Sequence, residues 1–566
     1  MSKISIAALG GLGENGKNMF IVEVDERIFI LDAGLKYPEI DLYGVDAVIP
    51  DISYLIENRN RIEGIFISHG HEDHIGALPY ILENINIRVY GTHFTICLIE
   101  DLLAENNMTI DKFKLYRINE NKTLKFGEIT VSFYNTTHSI PESVGIAIST
   151  EDGTIIYSPD FNFNPTVGSK YKTSYDKITE LGKRNVLAVM AESLGVSDLE
   201  RTSSDRLFEH TFNNVLTNAE GRIIISAFSS DLNRIQKIID MSIQAGRRIA
   251  IIGRKAQRII DIAMKSEYLK IPTDYLVNLK FKDNSIELNE KEEEEIRAEK
   301  KLVIIASGVR HEPYLSLIRM VNKQDRLVQL TQDDSVILIS NPVPGTEKIA
   351  AEALDALYRN DINVIQFEKK ILRSSHANSE DLKLFYAMLK PKYFIPIIGE
   401  YRHLYEHQKV IKSAGYAPES IIILENGQVV TFENGQKGSL FEIHHGDILV
   451  DGSLTGSIDQ SIIDEREKLA DEGAIIVVAN IDVKAKKLVS GPMITTRGFV
   501  SKIPLDQWKE QILELSMRII NTNLHKTNFK LEELEKTLSN DISNIAYRQT
   551  KKRPIIIPVL IDTKNK

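Results

Sequence analysis

The chain has 566 residues, of which 43% are hydrophobic and 26% are charged, a composition that is typical of a folded globular protein and excludes a disordered or fibrous one. This length predicts two or three domains. The formal net charge of -10 argues against a protein that binds polyanions over its whole surface, although basic clusters at residues 247–248, 484–487 and 551–553 leave room for a local basic channel.

The single cysteine, Cys97, excludes a framework of internal disulfides and a zinc site built from several cysteines. Any metal must therefore be held by histidines and carboxylates. A lone cysteine also suits a reducing compartment, and the N-terminus lacks the pattern of a signal peptide, so we expect a cytoplasmic protein. The longest apolar stretches, such as residues 393–398 and 474–479, are far shorter than the roughly 18 to 20 residues of a membrane helix.

The first 160 residues alternate short β-branched runs with turns that are rich in glycine, aspartate and histidine. Strands are predicted at residues 4–9, 19–24, 28–31, 65–68, 131–135 and 155–158. Helical periodicity at residues 74–83 and 94–106 completes a mixed α/β pattern.

Near the N-terminus, Gly11, Gly13 and Gly16 fit the dinucleotide-binding pattern G-x-G-x-x-G, and Asp32 ends a following strand. A parallel βαβ unit needs a crossover helix of about ten or more residues. Only residues 25–27 separate the two strands that follow the glycines. We therefore favour an antiparallel hairpin with the glycines in its turns, and expect no nucleotide cofactor.

The strongest signal is the segment HGHEDH, which contains His69, His71, Asp73 and His74 and directly follows a predicted strand. Alternate side chains of such a loop point the same way. His69 and His71 are therefore predicted to hold one metal ion, while Asp73 and His74 turn toward a second.

Two further candidate ligands, His138 and Asp160, follow other predicted strands. Alone, each would be interpreted as a structural residue, but together with the HGHEDH segment they complete a metal site. A carboxylate at Asp160 could bridge two ions. Paired ions acidify a shared water and stabilise the oxygens of a displacement at phosphorus, so the set predicts a metal-dependent hydrolase.

From about residue 195 to 370, a helix at 231–244 alternates with strands at 222–227, 249–252, 302–306 and 335–340, which indicates an inserted α/β domain. The charged run at residues 289–301 is interpreted as a solvated helix rather than an acidic tail. Residues 441–456 are interpreted as a connector.

The last hundred residues form a further unit. Its predicted elements are a strand at residues 474–481, a helix with Trp508, Ile512, Leu515 and Ile519 on one face, a helix near 531–547 and a closing strand at 555–561.

The segment HGHEDH, followed by His138 and Asp160 at strand ends, resembles the metallo-β-lactamase superfamily. The segments GLGENGKNMF, ILDAGLKYPE, GVDAVIPDISYLIE, THSIPESVGIAI, KPKYFIPIIGEYRHL, LVSGPMITTRGF and KKRPIIIPVLID resemble bacterial ribonuclease J over nearly the whole chain. The resemblance implies an α/β protein: a metallo-β-lactamase αββα sandwich with an inserted β-CASP domain and a small C-terminal α/β domain. The implied limits are 1–194 and 371–440 for the sandwich, 195–370 for the insert, 441–456 for a linker and 457–566 for the C-terminal domain.

The resemblance also implies roles for individual residues. The implied ligands are His69, His71, His138 and Asp160 for the first metal, and Asp73, His74 and the bridging Asp160 for the second. Asp73, Glu192 and His376 would be catalytic, with Glu192 orienting a neighbouring histidine. Ser375, His376 and Asn378 would contact phosphate, although family members usually have Ser-Gly-His-Gly-Ser where this chain has Ala377 and Asn378.

A second departure lies at Ile398, where active members of the family have a histidine that completes the second metal site. An aliphatic side chain offers no lone pair, so the second ion is expected to bind weakly unless Glu400, His403 or water substitutes. A second paralogue of ribonuclease J, described as a weakly active partner subunit, also lacks this histidine. The sequence resembles that paralogue most.

Two functions remain open from the sequence. The chain could be a 5′–3′ exoribonuclease and/or endoribonuclease that uses a metal-activated hydroxide, with activity reduced by Ile398. It could instead be a structural subunit that binds RNA and an active paralogue. A small-molecule hydrolase is disfavoured by the large insert and the C-terminal unit. The expected cofactor is a divalent metal, zinc first with manganese or magnesium as alternatives, and the expected partners are RNA, the paralogue in a hetero-oligomer, and a second copy in a homodimer.

Overall fold

The computed structural model describes most of the chain. The described residues are 2–38, 42–198, 206–277, 281–282, 285–286, 299–308, 311–339, 342, 346–367, 374–452, 454–455, 460–527 and 529–563. Two compact units can be distinguished: a first unit of Met1–Tyr37 with Ala47–Ile448, and a second unit of Pro38–Asp46 with Leu449–Lys566. The boundary at 448/449 falls inside the predicted linker, and the finer domain limits stay predictions.

A sheet of eight strands forms one layer of the first unit. Its strands, in spatial order, are Gln436–Glu442, Gln428–Glu433, Lys3–Gly10, Met19–Val24, Arg27–Leu31, Ile62–Phe66, Arg88–Gly91 and Lys114–Arg117. Met19–Val24 pairs antiparallel with the strand before it and with the strand after it. The N-terminal glycines therefore lie in a hairpin, as predicted, and the dinucleotide fold is ruled out.

A sheet of six strands forms the second layer. Its strands, in spatial order, are Tyr393–Ile397, Val186–Glu192, Gly153–Ser158, Val144–Thr150, Ile129–Asn135 and Thr123–Phe126. One face shares a hydrophobic cluster with the first sheet, to which Phe29 contributes from the first sheet and Phe133 from the second. The opposite face carries Tyr134 and Val189, which pack against Phe385 of a covering helix. This alternation is the period-two pattern of strands that are buried on both faces.

Helices cover the two sheets and complete the αββα sandwich that the resemblance implied. They are Ser53–Glu57, Glu72–Ile75, Leu78–Asn84, His93–Glu105, Tyr175–Leu181, Ser379–Leu389 and Tyr401–Ser413. The helix predicted at residues 74–83 is wrong in detail, because it is two helices separated near Gly76. A Cβ at Gly76 would lie 2.4 Å from the Leu35 side chain and 2.6 Å from the Glu72 carbonyl oxygen.

The inserted domain lies, in the sequence, between two segments of the sandwich. It contains a six-stranded parallel sheet. Its strands, in spatial order, are Leu276–Val277, Arg248–Ile252, Leu302–Gly308, Ile223–Phe228, Ser335–Leu338 and Asn363–Gln366. Its helices are Arg206–Asn218, Leu232–Gln244, Arg254–Lys265, Glu312–Val321 and Glu347–Arg359. The predicted α/β insert is confirmed, whereas most of the charged run at 289–301 lies outside the described residues.

The second unit has a three-stranded sheet and three helices. Its strands, in spatial order, are Lys487–Arg497, Ala474–Asp482 and Ile555–Asp562. Its helices are Gln460–Glu472, Leu505–Leu524 and Leu531–Thr550. Trp508 and Ile512 pack with Ile475 and Val477 in a separate hydrophobic core, which confirms the predicted apolar face.

The connector predicted at residues 441–456 is more regular than expected, because it contains the strands Asp447–Asp451 and Leu454–Thr455. Glycine and aspartate in this segment therefore mark turns between strands rather than a wholly irregular linker. Among the described residues, no helix combines the length and the apolar character that are needed to cross a bilayer.

Candidate metal centre

The HGHEDH loop follows the end of the strand Ile62–Phe66, whose last three residues are buried. His71 has an extended backbone and precedes the short helix Glu72–Ile75, so the chain turns between His71 and Asp73. This turn separates the two pairs of candidate ligands, as the alternation in the sequence predicted. His69 and His74 are fully buried.

The first group of candidate ligands combines His69, His71, His138 and Asp160, whose ligand atoms lie within 4.8 Å of one another. His71 Nδ1 lies 3.0 Å from His69 Nε2 and 3.1 Å from His138 Nε2. Asp160 Oδ2 lies 3.4 Å from His69 Nε2 and 3.5 Å from His138 Nε2. Residues from three separate strand ends therefore converge on one point.

The second group combines Asp73, His74 and Asp160. His74 Nε2 lies 3.3 Å from Asp73 Oδ2 and 3.6 Å from Asp160 Oδ2. Asp160 is thus common to both groups and lies where a bridging carboxylate would be needed. These positions fit the two-metal prediction, while the role of each residue as a ligand stays a prediction.

The outer nitrogens of the buried histidines are engaged by the protein. His69 Nδ1 lies 3.0 Å from the Ser68 hydroxyl oxygen, His74 Nδ1 lies 2.7 Å from Asp32 Oδ2, and His138 Nδ1 lies 3.0 Å from the Ser375 carbonyl oxygen. Each of these oxygens can accept the Nδ1 hydrogen, which leaves the Nε2 lone pair directed at the ligand cluster. This is the arrangement of histidines that bind metals.

Asp32 is the residue of this site that sequence analysis missed. Its carboxylate accepts hydrogen bonds from the Ser68 N–H (2.7 Å), the Ser68 hydroxyl (2.8 Å) and the Tyr157 hydroxyl (2.6 Å), in addition to His74 Nδ1. In the sequence it was considered only for a dinucleotide fold. Its left-handed backbone, with φ of 60°, is the one local signal of an unusual position, and a φ value is not visible in a sequence.

Glu192 contacts His376, a neighbouring histidine of the kind that the resemblance implied it would orient, and this orienting role stays a prediction. His376 Nδ1 donates to Glu192 Oε2 over 2.7 Å, and Glu192 Oε1 accepts from the backbone N–H groups of Phe161 (2.7 Å) and Ala377 (3.0 Å). Glu192 is fully buried, whereas the His376 side chain is 29% exposed. His376 Nδ1 also lies 3.8 Å from Asp160 Oδ1, so the pair borders both metal groups.

The predicted phosphate-contacting residues Ser375 and Asn378 have structural partners. The Ser375 carbonyl faces His138, as described above. The Asn378 side-chain oxygen accepts hydrogen bonds from the backbone N–H groups of Glu380 and Asp381 at 2.9 Å each and caps the helix Ser379–Leu389. A contact between either side chain and phosphate stays a prediction.

A pocket opens beside the first group. Its lining includes His138, Asn162 and Ser375 from the sandwich and Arg234 and Lys237 from the inserted domain. Neither Arg234 nor Lys237 was predicted from the sequence, because an isolated basic residue on a helix is usually a solvated surface residue.

Ile398 is fully buried and follows the strand Tyr393–Ile397. Its φ of 56° is left-handed, which is unfavourable for a β-branched residue by about 1–2 kcal/mol. Neither Glu400 nor His403 belongs to a metal-competent group among the described residues. The hypothesis from the sequence that Glu400 or His403 replaces the missing ligand is therefore not supported.

Burial and charge set the protonation of these groups. Burial and the neighbouring His69 lower the pKa of His71 to about 3. Burial likewise holds the pKa of His138 well below its usual range, against the attraction of Asp160. Although burial alone would raise it, the pKa of Asp160 is held well below its usual range by His376 and His74.

These residues fit a divalent cation. His71 Nδ1 lies 3.0 Å from His69 Nε2 and 3.1 Å from His138 Nε2, and the outer contacts of His69 and His138 leave lone pairs on the inner side of the cluster. In addition, Asp160 Oδ1 is buried and accepts no hydrogen bond from the described residues. Converging lone pairs repel one another unless a cation lies between them. The donor set therefore suits a divalent metal.

Comparison with known protein families assigns the parts of the chain. Residues 12–191 match the metallo-beta-lactamase superfamily and residues 368–423 match the Zn-dependent metallo-hydrolase RNA specificity domain. Residues 220–357 match the ribonuclease J beta-CASP domain and residues 461–563 match the ribonuclease J C-terminal domain. Fold and site together define a metallo-β-lactamase protein with a β-CASP insert.

Full-length relatives give the particular family. The chain is 35% identical over 558 residues to Ribonuclease J 2 of Staphylococcus epidermidis and 34% identical to Ribonuclease J 2 of Staphylococcus aureus, with 98% of each chain covered. The chain therefore belongs to the ribonuclease J family. A crystal structure of a protein of unknown function from Enterococcus faecalis is similar in fold, with a TM-score of 0.53, 18% identity and coverage of 76% of this chain and 100% of that chain.

Proposed function

We propose that the chain is a metal-dependent ribonuclease that processes or degrades RNA by phosphodiester hydrolysis in the cytoplasm, as a 5′–3′ exonuclease and/or an endonuclease. The observation that carries this proposal is the cluster of inward-facing imidazoles, His69, His71 and His138, beside a pocket that contains Arg234 and Lys237. Cationic side chains next to a metal centre suit a phosphate-bearing polymer. Membership of the ribonuclease J family supports RNA as that polymer.

Two cations have candidate ligands. The ligands proposed for the first are His69, His71, His138 and Asp160, and those proposed for the second are Asp73, His74 and Asp160. Zinc is expected in the first site, because three imidazoles and a carboxylate suit it. When bound, such ions lower the pKa of water and stabilise negative charge on phosphate oxygens.

The protein supplies a proton donor beside this centre. The carboxylate of Glu192 holds the Nδ1 hydrogen of His376, which directs Nε2 away from Glu192. Burial would lower the pKa of His376, but Glu192 and Asp160 raise it to about 9. A protonated His376 would donate from Nε2 to a phosphate oxygen or to the leaving oxygen.

We expect the intrinsic activity to be reduced, because Ile398 supplies no ligand to the second group. We do not favour the alternative of a structural subunit without catalysis. The first group keeps all four donors, and Glu192 and His376 keep their hydrogen bond. A centre with these features is compatible with turnover.

We further expect association with a second ribonuclease J chain, either a paralogue or a copy of this chain. The sheet of the second unit supports this expectation, because its outer face leaves Met493 62% exposed, Ile557 40% and Ile561 49%. Apolar patches of this kind are typical of protein interfaces. Sedimentation velocity of the native chain and of Met493→Glu, alone and with the paralogue, tests it: the variant should sediment as a smaller species.

The ribonuclease proposal is tested with 5′-monophosphorylated RNA and purified full-length protein. His71→Ala should lower the rate of degradation about 100-fold or more, because it removes a ligand rather than an outer contact. The matched control His445→Ala changes an exposed histidine and should leave the rate unchanged. Ile398→His should raise the rate about 10-fold by adding a ligand and by replacing a β-branched residue at a left-handed position.

Bound metal is measured for the same proteins. Activity in His71→Ala equal to that of the native chain would show that the centre is not the catalytic site. Native protein that binds metal yet degrades no RNA, while stimulating a co-purified paralogue, would support the structural subunit instead.

A further inference from the structure

A buried asparagine lies beside the second metal group. Asn18 precedes the strand Met19–Val24 and is fully buried. Its backbone N–H donates to the Asp73 carbonyl over 3.1 Å, and its own carbonyl accepts from the Gly34 N–H over 2.9 Å. The backbone of Asn18 is therefore fixed directly against the loop that carries Asp73 and His74.

Gly34 makes this close packing possible. A Cβ at Gly34 would lie 1.6 Å from the Asp73 carbonyl oxygen and 2.9 Å from the Asn18 nitrogen. The preceding residue, Lys17, is 3% exposed and forms ion pairs with Glu14 and Asp447. Asn18 is thus held in place by the packing at Gly34 and by the buried Lys17. It therefore loses little conformational entropy when it binds a ligand.

The two ends of the Asn18 amide have different surroundings. Nδ2 donates to Asp73 Oδ2 over 3.1 Å and lies 3.1 Å from His74 Nε2, so it contacts two candidate ligand atoms of the second group. Oδ1 is buried and accepts no hydrogen bond from any residue that the structure describes. A buried carbonyl without a partner is unfavourable by about 1–3 kcal/mol, so this orientation of the amide is not stabilised at its oxygen end.

A half turn about the Cβ–Cγ bond exchanges the two amide atoms. The carbonyl oxygen would then occupy the present position of Nδ2, next to Asp73 Oδ2 and His74 Nε2. The exchange gives up the hydrogen bond from Nδ2 to Asp73 Oδ2, which a cation bound by both oxygens would replace, and it gives up no hydrogen bond to Oδ1 from the described residues. We propose that the Asn18 amide oxygen is a ligand of the cation in the second group, alongside Asp73, His74 and Asp160.

This assignment rests on the proposed metal centre and adds a preference between cations. The second group would offer three oxygens and one nitrogen, whereas the first offers three nitrogens and one oxygen. Oxygen donors suit Mn²⁺ and Mg²⁺, while imidazole-rich sites suit Zn²⁺. The two sites would therefore take different metals, and Asn18 would compensate in part for the ligand that Ile398 does not provide.

The experiment uses metal-free full-length protein that is first given one equivalent of Zn²⁺ and then titrated with Mn²⁺. Free Mn²⁺ is followed by electron paramagnetic resonance. The variants are Asn18→Leu, which has no ligand atom, and Asn18→Asp, which keeps an oxygen but cannot donate a hydrogen bond. Asn164→Leu is the matched control, because Asn164 is also a buried amide, 4% exposed, and it accepts from the Thr166 N–H.

We expect Asn18→Leu to weaken Mn²⁺ binding about 10-fold or more, with the Zn²⁺ stoichiometry and the control unchanged. Asn18→Asp should bind Mn²⁺ at least as tightly as the native chain. If Asn18 only donated a hydrogen bond to Asp73, the aspartate variant would bind Mn²⁺ more weakly than the native chain. That result would overturn the inference even if the leucine variant failed to fold.

Native-like Mn²⁺ binding by Asn18→Leu would also overturn the inference, while leaving the first site and the proposed ribonuclease intact. A native chain that takes up no Zn²⁺, or one whose Zn²⁺ affinity is unaffected by His71→Ala, would remove the proposed metal centre and this inference with it. The two failures are distinguished by the zinc measurement, which does not depend on Asn18.

Discussion

The orientation of single imidazole rings determines what this site can bind. His74 illustrates the point, because its Nδ1 is fixed by Asp32, and Asp32 is in turn fixed by Ser68 and Tyr157. A carboxylate that accepts four hydrogen bonds has little freedom to rotate. The direction of the His74 Nε2 lone pair is therefore set by residues that lie outside the metal groups of the described residues.

Replacement of Asp32 tests this dependence. Asp32→Asn places an amide among four donors, which leaves at least one of them unpaired and releases His74. We expect a loss of about 10- to 100-fold in the affinity for the second cation and a loss of stability of about 1–3 kcal/mol. Metal titration and urea unfolding measure the two effects.

Tyr157→Phe is the milder control for Asp32→Asn, since it removes one donor and leaves the carboxylate. It should affect metal affinity less than Asp32→Asn. Equal metal affinity in Asp32→Asn and the native chain would show that His74 needs no anchor.

His407 is another buried histidine, and it was not predicted from the sequence to have a role. It lies outside the metal groups of the described residues. The Ser193 hydroxyl donates to the Ile397 carbonyl over 2.9 Å, so its oxygen accepts from His407 Nδ1 over 2.9 Å. The Tyr386 hydroxyl donates to His407 Nε2 over 2.6 Å. This network uses the neutral imidazole, and burial lowers the pKa of His407 to about 3.

A pH dependence of stability follows from His407. The unfolded chain binds a proton near the ordinary histidine pKa of about 6.5, whereas the folded chain does so only near 3. The stabilisation is therefore present above pH of about 6.5 and is lost as the pH falls toward 3, by up to about 1.4 kcal/mol per pH unit. In EDTA, His407→Gln should lose stability less steeply than the native chain between pH 6.5 and 4.

The exposed His445 provides the comparison, and His445→Gln should follow the native slope. The other buried histidines are common to all three proteins and do not affect the difference. Parallel slopes in the native chain and His407→Gln would mean that His407 is protonated in the folded state.

At the scale of elements, the helices and strands that could be predicted are those whose own residues carry a regular hydrophobic pattern. Met19–Val24 has the predicted limits, and Leu505–Leu524 buries the predicted apolar face. The strand Lys487–Arg497 was missed because Gly491 and Pro492 interrupt its pattern. The break near Gly76 was also missed, and the close approach of the Leu35 side chain to Gly76 is a contact between residues far apart in the chain that no local pattern shows.

The helix Ser379–Leu389 shows how an element end holds a functional loop. Its cap residue, Asn378, directly follows His376 and Ala377. Glu192 contacts the imidazole of His376 and accepts a hydrogen bond from the backbone N–H of Ala377. Loss of the cap should therefore loosen the position of His376 as well as the helix. The Asn378 cap thus links helix stability to the predicted phosphate contact.

Two substitutions of Asn378 separate these roles. Asn378→Ala removes the cap and should lower stability by about 1 kcal/mol, while Asn378→Asp keeps a cap and should leave stability nearly unchanged. If Asn378 also contacts phosphate, the aspartate should weaken RNA binding by charge repulsion without loss of stability. Thermal unfolding and filter binding of RNA distinguish the effects; unchanged RNA binding in Asn378→Asp would exclude the phosphate contact.

At the scale of the whole molecule, the residue types indicated which side chains form the candidate site. The hydrogen bonds that hold those side chains could not be predicted from the residue types. The grouping of His69, His71, His138 and Asp160 could be predicted because residue types that are able to bind metals are recognisable at strand ends. The bond from His138 to Ser375 joins residues 237 positions apart. No local pattern specifies such a pairing, so the outer contacts of Asp32, Ser375 and Asn18 required the folded chain.

Metal removal should act on one of the two units. Trp508, the single tryptophan of the chain, lies in the separate core of the second unit and reports its unfolding by fluorescence. The metal groups lie in the first unit. A bound ion stabilises the folded state by about 4 kcal/mol at a free concentration one thousand times its Kd.

Chelation by EDTA should therefore lower the midpoint temperature for unfolding of the first unit, which is measured by far-UV circular dichroism. The unfolding transition reported by Trp508 fluorescence should not move. His71→Ala should already melt at the lower temperature and respond weakly to EDTA, because the first ion has lost a ligand. A Trp508 transition that moves together with the circular dichroism signal would contradict this expectation. The two cores would then unfold as one cooperative unit, and the metal centre would stabilise the whole chain.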